Sequence, residues 1–145
     1  MSDVQGKLPE IIVFAGPNGS GKTTISRMAK VIEPYINADD IKMTTHCSDL
    51  DAAVQAEHLR EIQILRGLGF TFETVLSTER NMNLLQRAKE SGFFIRCIYA
   101  ISRRIMNFNK KECIEKQINQ MRSFSSCNNL LIPIVFAIFV FFKNR

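Results

Sequence analysis

One stretch of eight residues constrains this chain more than any other feature. Gly16 to Thr23 reads GPNGSGKT and matches the pattern GxxxxGK[ST]. Glycines at these places let backbone N–H groups turn inward and surround phosphate oxygens, and the N-terminus of a following helix adds the positive end of its dipole. Lys22 is placed to reach the β- and γ-phosphates of a nucleotide, and Thr23 to offer its hydroxyl to Mg²⁺. The candidate nucleotide-binding residues are therefore Gly16, Pro17, Asn18, Gly19, Ser20, Gly21, Lys22, Thr23 and Thr24, with ATP or GTP and Mg²⁺ as the expected cofactors, and Thr23 as the metal ligand. The flanks suit the motif. Glu10–Ala15 (EIIVFA) is a short apolar run that fits a strand buried on both faces. Ile25, Met28, Ala29 and Ile32 then lie at offsets of 0, 3, 4 and 7, one face of a helix starting near Lys22 and stopping before Pro34.

The alternation continues along the chain. Tyr35–Asn37 reads as a short strand, and Asp49 to Gly67 as a helix with Ala52, Ala56, Leu59 and Ile62 on one face. Phe70–Val75 (FTFETV) is aromatic and β-branched and reads as a strand. Met82–Ser91 is expected to be helical, with Gly92 suited to its end, and Phe93–Ile101 is the next buried strand. Strands alternating with helices imply an α/β fold with a parallel sheet and covering helices. No internal repeat is present.

Near residue 101 the character changes. Residues 101–145 hold eight Lys/Arg against two Asp/Glu, whereas the first hundred hold eleven against twelve, so the net +5 belongs to the tail. The basic excess lies apart from the motifs, and no nucleic-acid partner is expected. Ile, Asn, Lys and Phe make up 23 of the last 45 residues against 24 of the first 100. The apolar run Leu130–Phe142 has 13 residues and contains Pro133. A spanning helix needs roughly 20, so a buried core piece or an aggregation-prone segment is expected in place of a membrane span. Cys47, Cys97, Cys113 and Cys127 show no metal-ligand spacing and read as reduced thiols. Met1–Pro9 lacks a signal-peptide pattern, and a cytoplasmic location is expected. The expected organisation is a nucleotide-binding core over residues 1–100 and a divergent basic and apolar tail over 101–145.

Three acidic positions bear on the chemistry. Asp39 and Asp40 follow the short strand at Tyr35–Asn37, and ligands of open α/β sheets bind at such carboxyl ends. A carboxylate there can take a proton from an acceptor hydroxyl or help hold magnesium; equally, it can serve only to favour a helix N-terminus. Glu73 sits inside an otherwise apolar strand, where a carboxylate is costly unless paired or bound, and so it is a candidate site residue. His58 falls among charged helical positions, as a solvated residue would, and His46 has no partner that the pattern identifies.

Taken together, AGPNGSGKTT (Ala15–Thr24), YINADDI (Tyr35–Ile41), FETVLST (Phe72–Thr78) and RNMNLLQRAKESGFFIRCIY (Arg80–Tyr99) resemble the zeta-toxin family of P-loop kinases over roughly residues 10 to 100. That family resembles bacterial toxins that transfer the γ-phosphate of ATP to the 3′-hydroxyl of UDP-N-acetylglucosamine. The resemblance implies a catalytic role for Asp39, as the base that activates the acceptor hydroxyl, and for Lys22. It implies substrate binding by Glu73, near the metal, and an antitoxin protein as a partner to look for. Val75 stands where some relatives have a second threonine, and Asp40 matches no family role beyond a helix cap.

The resemblance stops after Tyr99. The family continues into a lid whose arginines clamp the transferring phosphate, and nothing around Arg103 or Arg104 matches it. The C-terminal lid and last strands are therefore expected to be atypical or missing, and a truncated or frameshifted gene would account for the A/T-codon-rich tail. Reading the other two frames tests this; the idea fails if neither restores an arginine-bearing lid. A non-catalytic nucleotide-binding remnant and a P-loop kinase for another small hydroxylated substrate stay open as alternatives.

Overall fold

Alternation along a single strand organises the molecule. The computed structural model describes residues 6–75, 79–102 and 134–141, together with the isolated positions 115 and 119. At its centre is β1 (Glu10–Ala15). Successive side chains of a strand point to opposite faces, and β1 divides its apolar residues accordingly. Ile11, Val13 and Ala15 enter one core cluster, while Ile12 and Phe14 enter another.

The chain then runs through α1 (Lys22–Met28), β2 (Tyr35–Ile36), α2 (Ala38–Thr45), α3 (Asp49–Leu65), β3 (Phe70–Thr74), α4 (Glu79–Glu90), β4 (Phe94–Ser102) and β5 (Ile134–Phe141). The strands form one sheet in the order β2-β3-β1-β4-β5, and every pairing is parallel. This is the α/β fold expected, a parallel sheet with covering helices. The apolar run of the tail supplies β5, in register with β4 from Ile95↔Ile134 to Ser102↔Phe141. Arg103, Arg104, Cys113 and Cys127 lie outside the described residues.

The larger cluster joins Phe70 and Phe72 of β3, Ile95, Cys97 and Tyr99 of β4, Ala56 of α3, and Met82, Leu84, Leu85 and Ala88 of α4. Each fully buried side chain of the size of Phe or Ile contributes about 1.5–3 kcal/mol. Burial pushes the Cys97 thiol up to about 12, which makes it an inert core residue. The opposite face is thinner: Ile25 of α1 packs on Ile12, Phe14 and Ala100, with Val31 and Ile32 beside them.

Two expectations about helices are corrected here. The first helix ends at Met28, and Ala29 is already extended, with ψ at 152°. Met28, placed on the buried face by its spacing, is 81% exposed. Ala29 and Ile32 still pack against the second cluster, but from extended chain. The Thr71 hydroxyl accepts a 2.8 Å bond from the Ile32 N–H and draws this segment onto the sheet. In α3 the buried stripe is Ala52, Ala56 and Arg60, at intervals of four. Leu59, expected inside, is 41% exposed. Among the described residues no helix is long and apolar enough to cross a membrane.

Candidate active site

The segment after β1 turns sharply before α1 begins. Gly16 has φ of 142°, a left-handed value that disfavours any Cβ, and Gly21 caps α1 at φ 93°. A Cβ on Gly16 would lie 2.4 Å from the Ala100 carbonyl oxygen. The Gly16 N–H donates to the Thr74 carbonyl at 3.2 Å, tying the start of the loop to the end of β3. Within the loop the Ser20 N–H donates to the Pro17 carbonyl at 3.1 Å. Ser20 Oγ is buried without a partner among the described residues.

Lys22 folds back over this loop. Its Nζ donates to the Gly16 and Pro17 carbonyls at 2.7 and 3.0 Å. Burial pulls its ammonium below the usual value, while Glu73 and Asp39 act against that. Both carboxylates therefore lie within electrostatic reach of Lys22. Thr23 and Thr24 are exposed at the start of α1. The Thr23 carbonyl accepts a 3.1 Å bond from Ser26 Oγ.

A cavity of about 260 Å³ opens beside the loop. Asn18 and Lys22 of the loop line it together with Asp39, Ala53, Ala56, Arg60, Glu73, Thr74, Val75 and Asn81. Asp39 is held by helix capping. Asn37 is the N-cap of α2, and its Oδ1 accepts from the Asp39 N–H at 3.1 Å. Asp39 and Asp40 are both exposed in the first turn, where negative charge suits the helix dipole. Asp39 lines the cavity and Asp40 does not.

Glu73 is half-buried near the end of β3. Its Oε1 accepts a 3.2 Å bond from Ser26 Oγ and another from the Tyr35 hydroxyl. The Tyr35 hydroxyl, its single proton given to Glu73, also lies 3.0 Å from Ser26 Oγ. Burial, and then the bond to Glu73, raise the Tyr35 hydroxyl above its ordinary value, so it remains a neutral donor. Val75, where a threonine was looked for, stands on the cavity wall. The structure thus brings Asn18, Lys22, Asp39 and Glu73 around one space.

Sequence reasoning missed two residues there. Tyr35 lay inside a motif without a role assigned to it. Arg60 lay on a helix whose buried face had been drawn through Leu59. The signal for Arg60 was its spacing from Ala52 and Ala56, since positions four apart stack on one helix face. Arg60 is 9% exposed, and its guanidinium carbon lies 4.8 Å from the Phe72 ring centroid. That contact is worth about 0.5–2 kcal/mol, less than the several kcal/mol that desolvating an unpaired cation costs. Burial accordingly lowers its pKa from the usual value, opposed by Glu57 and Glu61.

His58 is exposed, as a solvated helix position should be. His46 is the C-cap of α2 in left-handed backbone, φ 55°. No group of three or more His, Cys, Asp or Glu capable of holding a metal occurs among the described residues. Any magnesium would rest on the Thr23 hydroxyl and nearby carboxylates, completed by the nucleotide itself, which is how P-loop sites hold it.

No family model matches the chain. An uncharacterized protein of Haemophilus influenzae is 31% identical over 94 residues, covering 61% of this chain and 67% of that protein. Among solved structures, a candidate kinase of Chloroflexus aurantiacus superposes with a TM-score of 0.60 at 15% identity, over 93% of this chain and 86% of the other. A structure from the PezAT chromosomal toxin–antitoxin system of Streptococcus pneumoniae superposes with a TM-score of 0.52 at 18% identity. It shares 81% of this chain, which spans a little over half, 57%, of that one.

Proposed function

Since the chain belongs to one family with the Haemophilus influenzae protein and folds as a zeta-toxin-like P-loop kinase, we propose that it transfers the γ-phosphate of ATP to a hydroxyl of a small sugar nucleotide, of the type of UDP-N-acetylglucosamine. The observation that carries this reading is the shared cavity, which Lys22 of the loop lines together with Asp39 and Glu73. A phosphate cradle alone would serve water or any alcohol. A carboxylate in the same cavity provides for a hydroxyl acceptor.

In this reading the backbone of Gly16–Thr23 holds the donor phosphates. Lys22 exchanges the Gly16 and Pro17 carbonyls for phosphate oxygens and neutralises charge as it develops. Asp39, exposed in the first turn of α2 and lining the cavity, takes the proton of the acceptor hydroxyl. The acceptor oxygen forms its bond to the γ-phosphorus as the bond to the β,γ-bridging oxygen breaks, leaving ADP. Mg²⁺ bound with the nucleotide supplies further charge neutralisation when present. Glu73, fixed by Tyr35 and Ser26, orients the acceptor or the metal-bound face of the nucleotide. An antitoxin protein is the macromolecular partner that belongs with this reading, as in the system from which the Streptococcus pneumoniae structure comes.

Phosphoryl transfer from labelled ATP to UDP-N-acetylglucosamine tests it, with Asp39→Ala and Lys22→Ala as controls. Transfer lost in both variants is the expected result. Lys22-dependent ATP binding without transfer to any hydroxylated acceptor would leave a nucleotide binder that lacks turnover.

A further inference from the structure

The cavity holds a second basic residue besides Lys22, Arg60, which forms no ion pair among the described residues. The carboxylates nearest to Arg60 along α3 are already engaged elsewhere. Glu57 faces Arg80 of α4 at 3.6 Å. Glu61 binds Arg87 of α4 through both guanidinium nitrogens, with Nη1 to Oε2 at 3.3 Å. Arg60 Nε is buried and has no hydrogen-bond partner among the described residues. The side chain is nine-tenths buried, rests on Phe72 and lines the cavity. Ala53 and Ala56, one to two turns earlier on α3, line the same space and leave room in front of it.

A charged, desolvated arginine whose buried Nε has no partner among the described residues is a costly arrangement that an anionic ligand completes. The donor phosphates are provided for by the loop around Lys22. We propose that Arg60 is the acceptor-side anchor: it holds a phosphate, diphosphate or carboxylate group of the molecule whose hydroxyl is phosphorylated, and so selects anionic acceptors over neutral ones. This rests on the kinase reading only for the word acceptor; the anion site itself stands on the geometry of Arg60. The fork of the guanidinium matches both phosphate and carboxylate oxygens, and different probes separate the two.

The test is titration calorimetry on the full chain with the phosphate loop saturated by ADP and Mg²⁺. The probes are UDP-N-acetylglucosamine (a diphosphate), glucuronate (a carboxylate) and N-acetylglucosamine (neutral). Wild-type protein is expected to bind at least one charged probe more tightly than the neutral sugar. Arg60→Gln should weaken that probe by about 10–100-fold, the range for loss of a charge-assisted hydrogen bond, and leave the neutral sugar unchanged. Arg60→Met should fold with a thermal midpoint equal to or above wild type, because it removes an unpaired buried charge. Should Arg60→Met fail to fold, Arg60→Lys keeps the charge but loses the fork, and weaker binding of the charged probe alone is expected of it.

Equal weakening of charged and neutral probes, or no weakening, overturns the anchor, as does wild-type protein that binds no charged probe. Arg60-dependent anion binding with no transfer to any acceptor overturns the kinase reading and leaves the anchor standing. Transfer that is indifferent to Arg60 does the reverse.

Discussion

The two walls of the cavity are built by different means. The part assigned in the proposed reading to the nucleotide is one continuous segment, Gly16 to Thr23, in which Gly16, Gly19 and Gly21 have positive φ and backbone N–H groups would meet the phosphates. The wall assigned to the acceptor is assembled from the side chains of separate elements: Asp39 from α2, Arg60 from α3, Glu73 and Thr74 from β3, and Asn81 from α4. A backbone cradle depends on local conformation and tolerates almost no added atoms. A side-chain wall depends on tertiary packing and can be revised one residue at a time. Damage to the first wall should therefore remove nucleotide binding, whereas changes to the second should alter which molecule is phosphorylated, and how fast.

The harshest way to strain that comparison is Gly16→Ala. The new methyl would meet the Ala100 carbonyl oxygen in a backbone conformation with φ of 142°. A loss of roughly 1–3 kcal/mol in denaturant unfolding is expected from the strain alone, together with loss of nucleotide binding. Unchanged stability would show that the loop can relax. Next comes Lys22→Ala. Nucleotide affinity by titration calorimetry should fall by about 10–100-fold through loss of charge-assisted bonds, with acceptor affinity little altered. A comparable fall in acceptor affinity would mean that the walls are not separable.

Val75→Thr sharpens the comparison from the other side. The change keeps a β-branched shape at the end of β3 and adds a hydroxyl to the cavity wall. Acceptor affinity should rise by about 2–10-fold, the worth of one neutral hydrogen bond, and nucleotide affinity should stay as it was. The smallest effect concerns the tyrosine that fixes Glu73. Its hydroxyl is raised in the folded state above the unfolded value of about 10. Its contribution to stability is thus complete below about pH 10 and is lost as pH rises beyond that. Tyr35→Phe should lower stability by about 1 kcal/mol at pH 8. The gap in thermal midpoint between wild type and variant should then narrow on the way to pH 11.5. A gap that stays constant across this range would remove the Tyr35–Glu73 bond from the account of the site.

The same contrast decides how much of the molecule was legible in its sequence. Glu10–Ala15 and the loop that follows could be read directly, because local glycine chemistry and an apolar run determine them. Phe70–Thr74 and Phe94–Ser102 were legible within a residue or two, the first from its aromatic and β-branched residues and the second from its largely apolar run. The end of α1 was not. The spacing of Ile25, Met28, Ala29 and Ile32 suits a helix, but the chain must cross toward β2, and Thr71 Oγ1 captures the Ile32 N–H. Asp39 could be proposed because capping chemistry and strand-end position are local signals. Arg60 could not be found in the same way. Its importance lies in what its neighbours do: Glu57 and Glu61 are occupied by α4, and Phe72 lies beneath it. None of those contacts is visible until the helices are packed.

The most direct test of two separable walls uses a single protein, Asp39→Asn, and two readings taken on it. Nucleotide affinity by calorimetry and single-turnover transfer to UDP-N-acetylglucosamine are compared with wild type. Unchanged nucleotide affinity with transfer slowed by about 10²–10⁴-fold is expected of a base that acts on the acceptor alone. Nucleotide affinity and transfer falling together, or transfer unaffected, would contradict the division of labour between the loop and the side chains that line the cavity with it.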